Sequence, residues 1–196
     1  MNSSKSKLIA IVGGIGSGKS VVSDVLRSLG YKVYDCDSKA KTIMDSSSEI
    51  HRQLCTEIHP QAVVAGVINR QLISKVVFND EAALKKLNAI VHKFVLDDLN
   101  LWSKSFAVDS KPLFVETAIP RSSHIIYMVD EVWEVCAPTD VRISRVIKRN
   151  NISREQVVAR IAKQEIELNV ANAHSIQNDG RHPILPTINE LLTEIG

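Results

Sequence analysis

The sequence lacks the long apolar run that a membrane span or a secretory leader needs. Behind a polar start, MNSSKSK, the first hydrophobic stretch is LIAIV (8–12), five residues before glycines interrupt it. Cysteine is scarce: Cys36, Cys55 and Cys136 lie far apart with no CxxC pair, which excludes a disulfide framework and a zinc cluster and fits a reducing compartment. Charge of one sign is also lacking. Lys and Arg number 24 against 22 Asp and Glu, a net of +2, so the chain is no generic polyanion binder and any basic patch has to be local. There is no internal repeat, low-complexity tract or long linker. These absences point to a soluble, cytoplasmic α/β chain of 196 residues that partners neither membrane nor nucleic acid. Glycine is sparse too, and its distribution is the first positive signal: four of the eight glycines fall within residues 13–20.

That stretch, GGIGSGKS, fits G-x-x-x-x-G-K-[ST] in full, between an apolar run with the look of a doubly buried strand and a helical pattern at Val21, Val22, Val25, Leu26 and Leu29. The motif needs glycine because successive backbone N–H groups must turn toward one anion without a Cβ in the way. The following helix adds its own unsatisfied N–H groups and the positive end of its dipole. The expected nucleotide contacts are Gly14, Ile15, Gly16, Ser17, Gly18, Lys19, Ser20 and Val21, with Lys19 reaching the β- and γ-phosphates of ATP and the Ser20 hydroxyl ligating Mg2+.

Further along, Gly30 is placed to cap the first helix and YKVYDCD reads as a second strand ending in two acids, which completes a βαβ unit and implies a parallel sheet. Residues 38–75 look less regular, with turns at 58–60 and Gly66. A long helix is expected from Asn79 through Leu99, buried strands at 112–119 and 131–138, and a basic helix from Thr139 to about Arg149. Ser153 with Gln156 forms a capping box for another helix, SIQNDG (175–180) a last strand and turn, and 187–195 a closing helix.

A phosphate loop alone leaves switches, motors and kinases open. Asp35 and Asp37, at the expected carboxyl edge of the sheet, are candidates to orient a hydroxyl or a cation, against the plainer reading of two acids capping a helix. Between Arg142 and Lys163 there are seven basic residues and one acid, Glu155, and Arg142, Arg145 and Arg149 share a helix face. Such a fork can stabilise a transferring phosphoryl group; the competing reading is a solvated basic face. Glu116 ends a strand at the same sheet edge. Asn178 can meet an adenine or simply form a turn, and His92 reads by its pattern as a packed histidine.

GGIGSGKS followed by a strand ending in Asp-x-Asp resembles the dephospho-coenzyme A kinase family. So do INRQLISKVVFNDEAALKKLNAIVH (68–92), KPLFVETAI (111–119), SRVIKRNNISREQVVARIAKQ (144–164) and SIQNDG, in the family's order over nearly the whole chain. The chain departs from the pattern at Val21, Cys36, Lys41, Lys93 and Asn150, none of which removes a group the chemistry needs. The resemblance implies a five-stranded parallel P-loop kinase core (about 5–37, 103–138 and 170–196), a helical substrate-binding insertion (about 38–102) and a helical lid (about 139–169). It implies transfer of the ATP γ-phosphate to the ribose 3′-hydroxyl of dephospho-coenzyme A. In that reading Asp37, Lys19 and Arg149 are catalytic, Arg145 and Asn178 bind ATP, and Asp37, His92 and Glu116 contact substrate. A different small-molecule P-loop kinase would share loop and lid but not the VFND–LNAIVH segment. A nucleotide-binding regulatory ATPase or switch is the remaining alternative, and the N-K-x-D tetrad expected for GTP is missing.

Overall fold

The computed structural model describes residues 6–106, 111–168 and 172–195, without the side chains of 163 and 165–168. Residue 5, residues 107–110 and 169–171, and the Lys163 side chain, all part of the segments expected above, lie outside the described residues. The chain divides into two units, one of residues up to Asp35 together with Ser103 onward, the other Cys36–Trp102.

In the first unit, β1 (Leu8–Val12) is buried along its whole length, as a β-branched run with a strand on either side must be. Its partners are β5 (Leu113–Glu116) and β6 (Glu131–Cys136); β2 (Lys32–Asp35) lies outside β5 and β7 (His174–Gln177) outside β6, giving a parallel sheet of order β2-β5-β1-β6-β7. This is the expected five-stranded parallel sheet. The chain leaves β1 toward one side and β5 toward the other, and this reversal opens a crevice beyond the carboxyl ends of the strands. Phe114 and Trp133 meet in the core at 5.1 Å between ring centroids, and Tyr31 closes on Phe114 edge-on at 5.5 Å.

Helix α1 (Lys19–Ser28) packs Val22 and Leu26 onto this core and ends as its sequence requires. Gly30 takes φ 84°, the Gly30 N–H donates to Arg27 O and the Tyr31 N–H to Leu26 O, the paired bonds of a Schellman motif. Strand β5 is shorter than the apolar stretch 112–119. After Glu116 the Thr117 hydroxyl accepts from the Ile119 N–H, turning the chain out of the sheet toward a 3₁₀ turn at Ile125–Tyr127. Helices α6 (Thr139–Asn150) and α7 (Arg154–Leu168) form a hairpin around Ile143, Val146, Val157 and Ile161, and α8 (Leu185–Ile195) closes the unit over the sheet with Ile188 and Leu191. The capping box is present: the Gln156 N–H donates to Ser153 Oγ at 3.3 Å, and the Ser153 N–H to Gln156 Oε1 at 3.1 Å.

The second unit corrects the expectation of irregular chain over 38–75. It holds α2 (Cys36–Ser46), α3 (Ser48–Gln53), a π-helical turn (Leu54–Ile58), a hairpin of β3 (Val63–Val64) and β4 (Val67–Ile68), α4 (Arg70–Asn79) and most of α5 (Glu81–Ser105). Each of α2, α3 and α4 buries a single residue (Cys36, Ile50, Ile73), too few to print a helical period. The polar residues that read as loop are caps: Ser47 accepts from the Ile50 N–H, Asn69 from Leu72, and Asp80 from Ala82 and Ala83. Ala65 and Gly66, both at positive φ, make the two-residue hairpin turn. Ile50, Leu54, Ala62, Ile68, Ile73 and Ile90 form its core. Among the described residues no helix is long and apolar enough to cross a membrane.

Removing the α7 cap with Ser153→Ala is expected to lower stability by about 1 kcal/mol, read from the midpoint of chemical denaturation.

Candidate active site

The loop between β1 and α1 is defined by where its carbonyls go. Gly13 O accepts from Lys19 Nζ (2.8 Å), Gly14 O from the Ser17 N–H (3.1 Å) and Ile15 O from Arg142 Nε (3.0 Å). Gly16 O and Ser17 O both accept from Arg145 Nη1, Ser17 O also from Asn178 Nδ2 (2.9 Å), and Gly18 O from the N–H groups of Val21 and Val22. Each of the six carbonyls thus has a donor, with Arg145 Nη1 shared between Gly16 O and Ser17 O. A peptide unit is planar, with C=O and N–H opposed, so a carbonyl held on one side turns the next N–H to the other; of these, the Ile15 and Ser17 N–H groups are taken by Gln164 Oε1 and Gly14 O. The N–H groups of Gly14, Gly16 and Gly18 have no hydrogen-bond partner among the described residues. This is an anion cradle at the start of a helix.

The glycines have a second cause besides the anion. A Cβ on Gly14 would run into the Arg142 guanidinium and one on Gly18 into the Asn178 amide; on Gly13 it would stand 2.5 Å from Val135 O. Gly18 also takes φ 94° as it enters α1. The loop is therefore packed from behind by α6 and by the end of β7.

Arg145 is the hub of that backing. Besides the loop carbonyls it reaches Asn178 O (3.0 Å) and Asn178 Oδ1 (3.3 Å), while the Asn178 N–H donates to Cys136 O (2.7 Å), tying it to the end of β6. Asn178 is buried, with both ends of its amide engaged on the loop and Arg145, rather than held out toward a base. Arg149, the favoured catalytic arginine of the sequence reading, is exposed, and its Nε donates to Asn150 Oδ1. It shares a face with Arg145 but lies about 6 Å further along the axis, past the part of α6 that meets the loop. Arg142, named in the sequence only as part of the basic face, meets the loop at Ile15 O. Gln164 was also missed: its Oε1 accepts the Ile15 N–H at 2.6 Å.

Strand register aligns Asp35 with Glu116 and Glu116 with Ile11, so two carboxylates stand side by side at the carboxyl edge of β2 and β5. Burial raises the Glu116 carboxyl above its usual range and the Asp35 charge adds to this, while the Ser23 hydroxyl and the charge of Lys19 oppose it. Ser20 lies exposed in the first turn of α1, and Val21 is half exposed behind it. Asp37 and His92 belong to the second unit. Strand β2 stops at Asp35, so Asp37 stands not at a strand end but exposed in the first turn of α2, where a negative charge complements the helix dipole. His92 is half-buried on α5.

A sequence model of dephospho-CoA kinase matches residues 7–183. The chain belongs to the dephospho-CoA kinase family. It is 33% identical to a dephospho-CoA kinase of Bacteroides fragilis over 94% of this chain and 90% of that protein. It is equally similar, at 33%, to one of Porphyromonas gingivalis over 95% and 93%. A crystal structure from Thermus thermophilus superposes with a TM-score of 0.80 at 30% identity, covering 98% of this chain and 99% of that one. Dephospho-CoA kinase from Campylobacter jejuni shares the fold, with a TM-score of 0.70 at 22% identity over 95% and 98%. The loop, the Arg142–Arg145 backing and the carboxylate edge thus lie in a fold that dephospho-CoA kinases share.

Two measurements check this description. Arg145→Met leaves Gly16 O without its donor and Ser17 O with Asn178 alone, and is expected to weaken ATP binding about tenfold or more, measured by calorimetry. For Glu116, the unfolded chain releases the proton at lower pH than the folded one, so stability falls as pH rises from the usual carboxyl range through the raised folded value. Glu116→Gln removes that penalty. Its thermal midpoint is expected to match wild type at pH 4 and to exceed it increasingly toward neutral pH.

Proposed function

We propose that this chain catalyses transfer of the γ-phosphate of ATP to the ribose 3′-hydroxyl of dephospho-coenzyme A, yielding coenzyme A and ADP. The observation that carries the reading is the set of held carbonyls around Gly13–Gly18 in a chain of this family, because it leaves the Gly14, Gly16 and Gly18 N–H groups available to a polyphosphate. In the reaction the 3′-oxygen attacks the γ-phosphorus, the bond from that phosphorus to the β–γ bridging oxygen breaks, and ADP leaves with that oxygen. The hydroxyl proton passes to a carboxylate.

Phosphoryl transfer asks the protein chiefly for positioning and for charge to meet the departing and arriving oxygens. Lys19 exchanges its bond to Gly13 O for the β- and γ-phosphate oxygens, and the loop N–H groups hold the β-phosphate. The donors at the sheet edge and helix start (the Ser20 hydroxyl and the Asp35 and Glu116 carboxylates) are all oxygens, which suits a hard divalent cation. No group of three or more metal-ligating side chains occurs among the described residues, so the cation would be held largely by the nucleotide itself, with Ser20 as protein ligand. A Mg2+ held there would supply positive charge to offset the negative charge of the phosphates. Asp37, two residues past the Asp35 that ends β2, is assigned to orient the 3′-hydroxyl and accept its proton, with Glu116 and His92 as substrate contacts. Residues 38–102 are assigned to the acceptor and 139–169 to the lid, whose exposed Arg149 is assigned to the transferring phosphoryl group while Arg145 holds the loop.

Incubation with Mg-ATP and dephospho-coenzyme A, followed by chromatography, is expected to give coenzyme A and ADP in equal amounts; ADP formed only with a different acceptor would sink the assignment. Asp37→Asn is expected to lower kcat by about 100-fold or more, in line with loss of a positioned acid–base group, with ATP affinity unchanged. A wild-type rate in that variant would remove Asp37 from the mechanism.

A further inference from the structure

Among the described residues, Ile15 is the loop residue whose peptide groups are held on both sides by side chains. Its N–H donates to Gln164 Oε1 at 2.6 Å, and its C=O accepts from Arg142 Nε at 3.0 Å. These side chains come from consecutive helices, α7 and α6. The Ile15 side chain packs against the cluster of Ile143, Val146, Val157 and Ile161 that joins those helices.

Planarity makes each bond act on two residues. Holding the Ile15 N–H fixes the plane of the 14–15 peptide, which aims Gly14 O at the Ser17 N–H it accepts at 3.1 Å. Holding the Ile15 C=O fixes the 15–16 plane and turns the Gly16 N–H inward. Both planes adjoin glycines, Gly14 and Gly16, where a peptide rotates with little steric resistance. Without the two side chains, the loop itself would hold the 14–15 plane by the single bond from the Ser17 N–H to Gly14 O. Gln164 also stands out on its own helix. It continues the i, i+4, i+7 stripe of Val157 and Ile161, where an apolar residue would serve simple packing, yet it carries an amide whose oxygen reaches the loop.

We infer that Gln164 is a positioning residue for ATP: acting through the Ile15 peptide, it holds the phosphate loop in its binding geometry and ties α7 to that loop. The inference rests on the nucleotide half of the function proposed above. Its test reads ATP binding alone, which does not depend on which acceptor is phosphorylated. Gln164→Met keeps the length of the side chain and removes the acceptor. The expected result is an ATP Kd raised about tenfold, with faster hydrogen exchange at the Ile15 amide and an unchanged thermal midpoint. A merely structural role would lower the midpoint and leave Kd within twofold of wild type, and that result overturns the inference. Gln164→Glu retains an oxygen for the Ile15 N–H but sets a negative charge beside the phosphates. It is expected to keep the Ile15 amide protected and to bind ATP more tightly than Gln164→Met; wild-type affinity with the Ile15 amide unprotected overturns the inference even if Gln164→Met does not fold.

Discussion

Six carbonyl oxygens between Gly13 and Gly18 have to be turned away from the space where a phosphate sits, and each needs a donor once it is turned. Much of the first unit follows from meeting that requirement. Lys19 and the first turn of α1 satisfy the two ends of the loop locally, and the Ser17 N–H satisfies Gly14. The middle depends on Arg142 and Arg145, brought there because α6 begins directly after β6, and on Asn178, brought there because β7 pairs with β6. The sheet order, the α6–α7 hairpin and the glycine spacing answer to one arrangement of hydrogen bonds.

The cationic backing has an electrostatic consequence. Arg142 and Arg145 donate to backbone oxygens, so their charge lies behind the loop without filling it, adding to the helix dipole. Opposite in sign, Asp35 and Glu116 stand at the ends of neighbouring strands by register alone. The raised Glu116 carboxyl records the cost of gathering negative charge in a half-buried place, with Lys19 as partial compensation. A site for a polyphosphate gains from having charges of both signs fixed before it arrives.

The signals that were legible in the sequence are those whose cause lies within a few residues. The β1 run, the glycine motif, the Gly30 cap of α1 and the Ser153–Gln156 box depend on local sterics and on bonds spanning three to five positions. The helices of 36–79 were illegible for a related reason. They are short, each buries one residue, and their caps use the polar residues that otherwise mark loops. Asp37 was placed at a strand end because YKVYDCD reads as one strand closing on two acids, yet the chain coils into α2 at Cys36.

What the sequence determined by itself was the presence of a phosphate loop between strand and helix, the parallel sheet, and a basic helical hairpin near the end of the chain. Periodicity identified which residues of α6 share a face, but a period carries no position along the axis. Only packing could decide that Arg142 and Arg145 meet the loop while Arg149 extends past it. The same holds for Asn178 and Gln164, whose partners lie 161 and 149 residues away in the chain. Hydrogen bonds across such separations leave no local pattern, because neither partner's neighbours need to change for the bond to form.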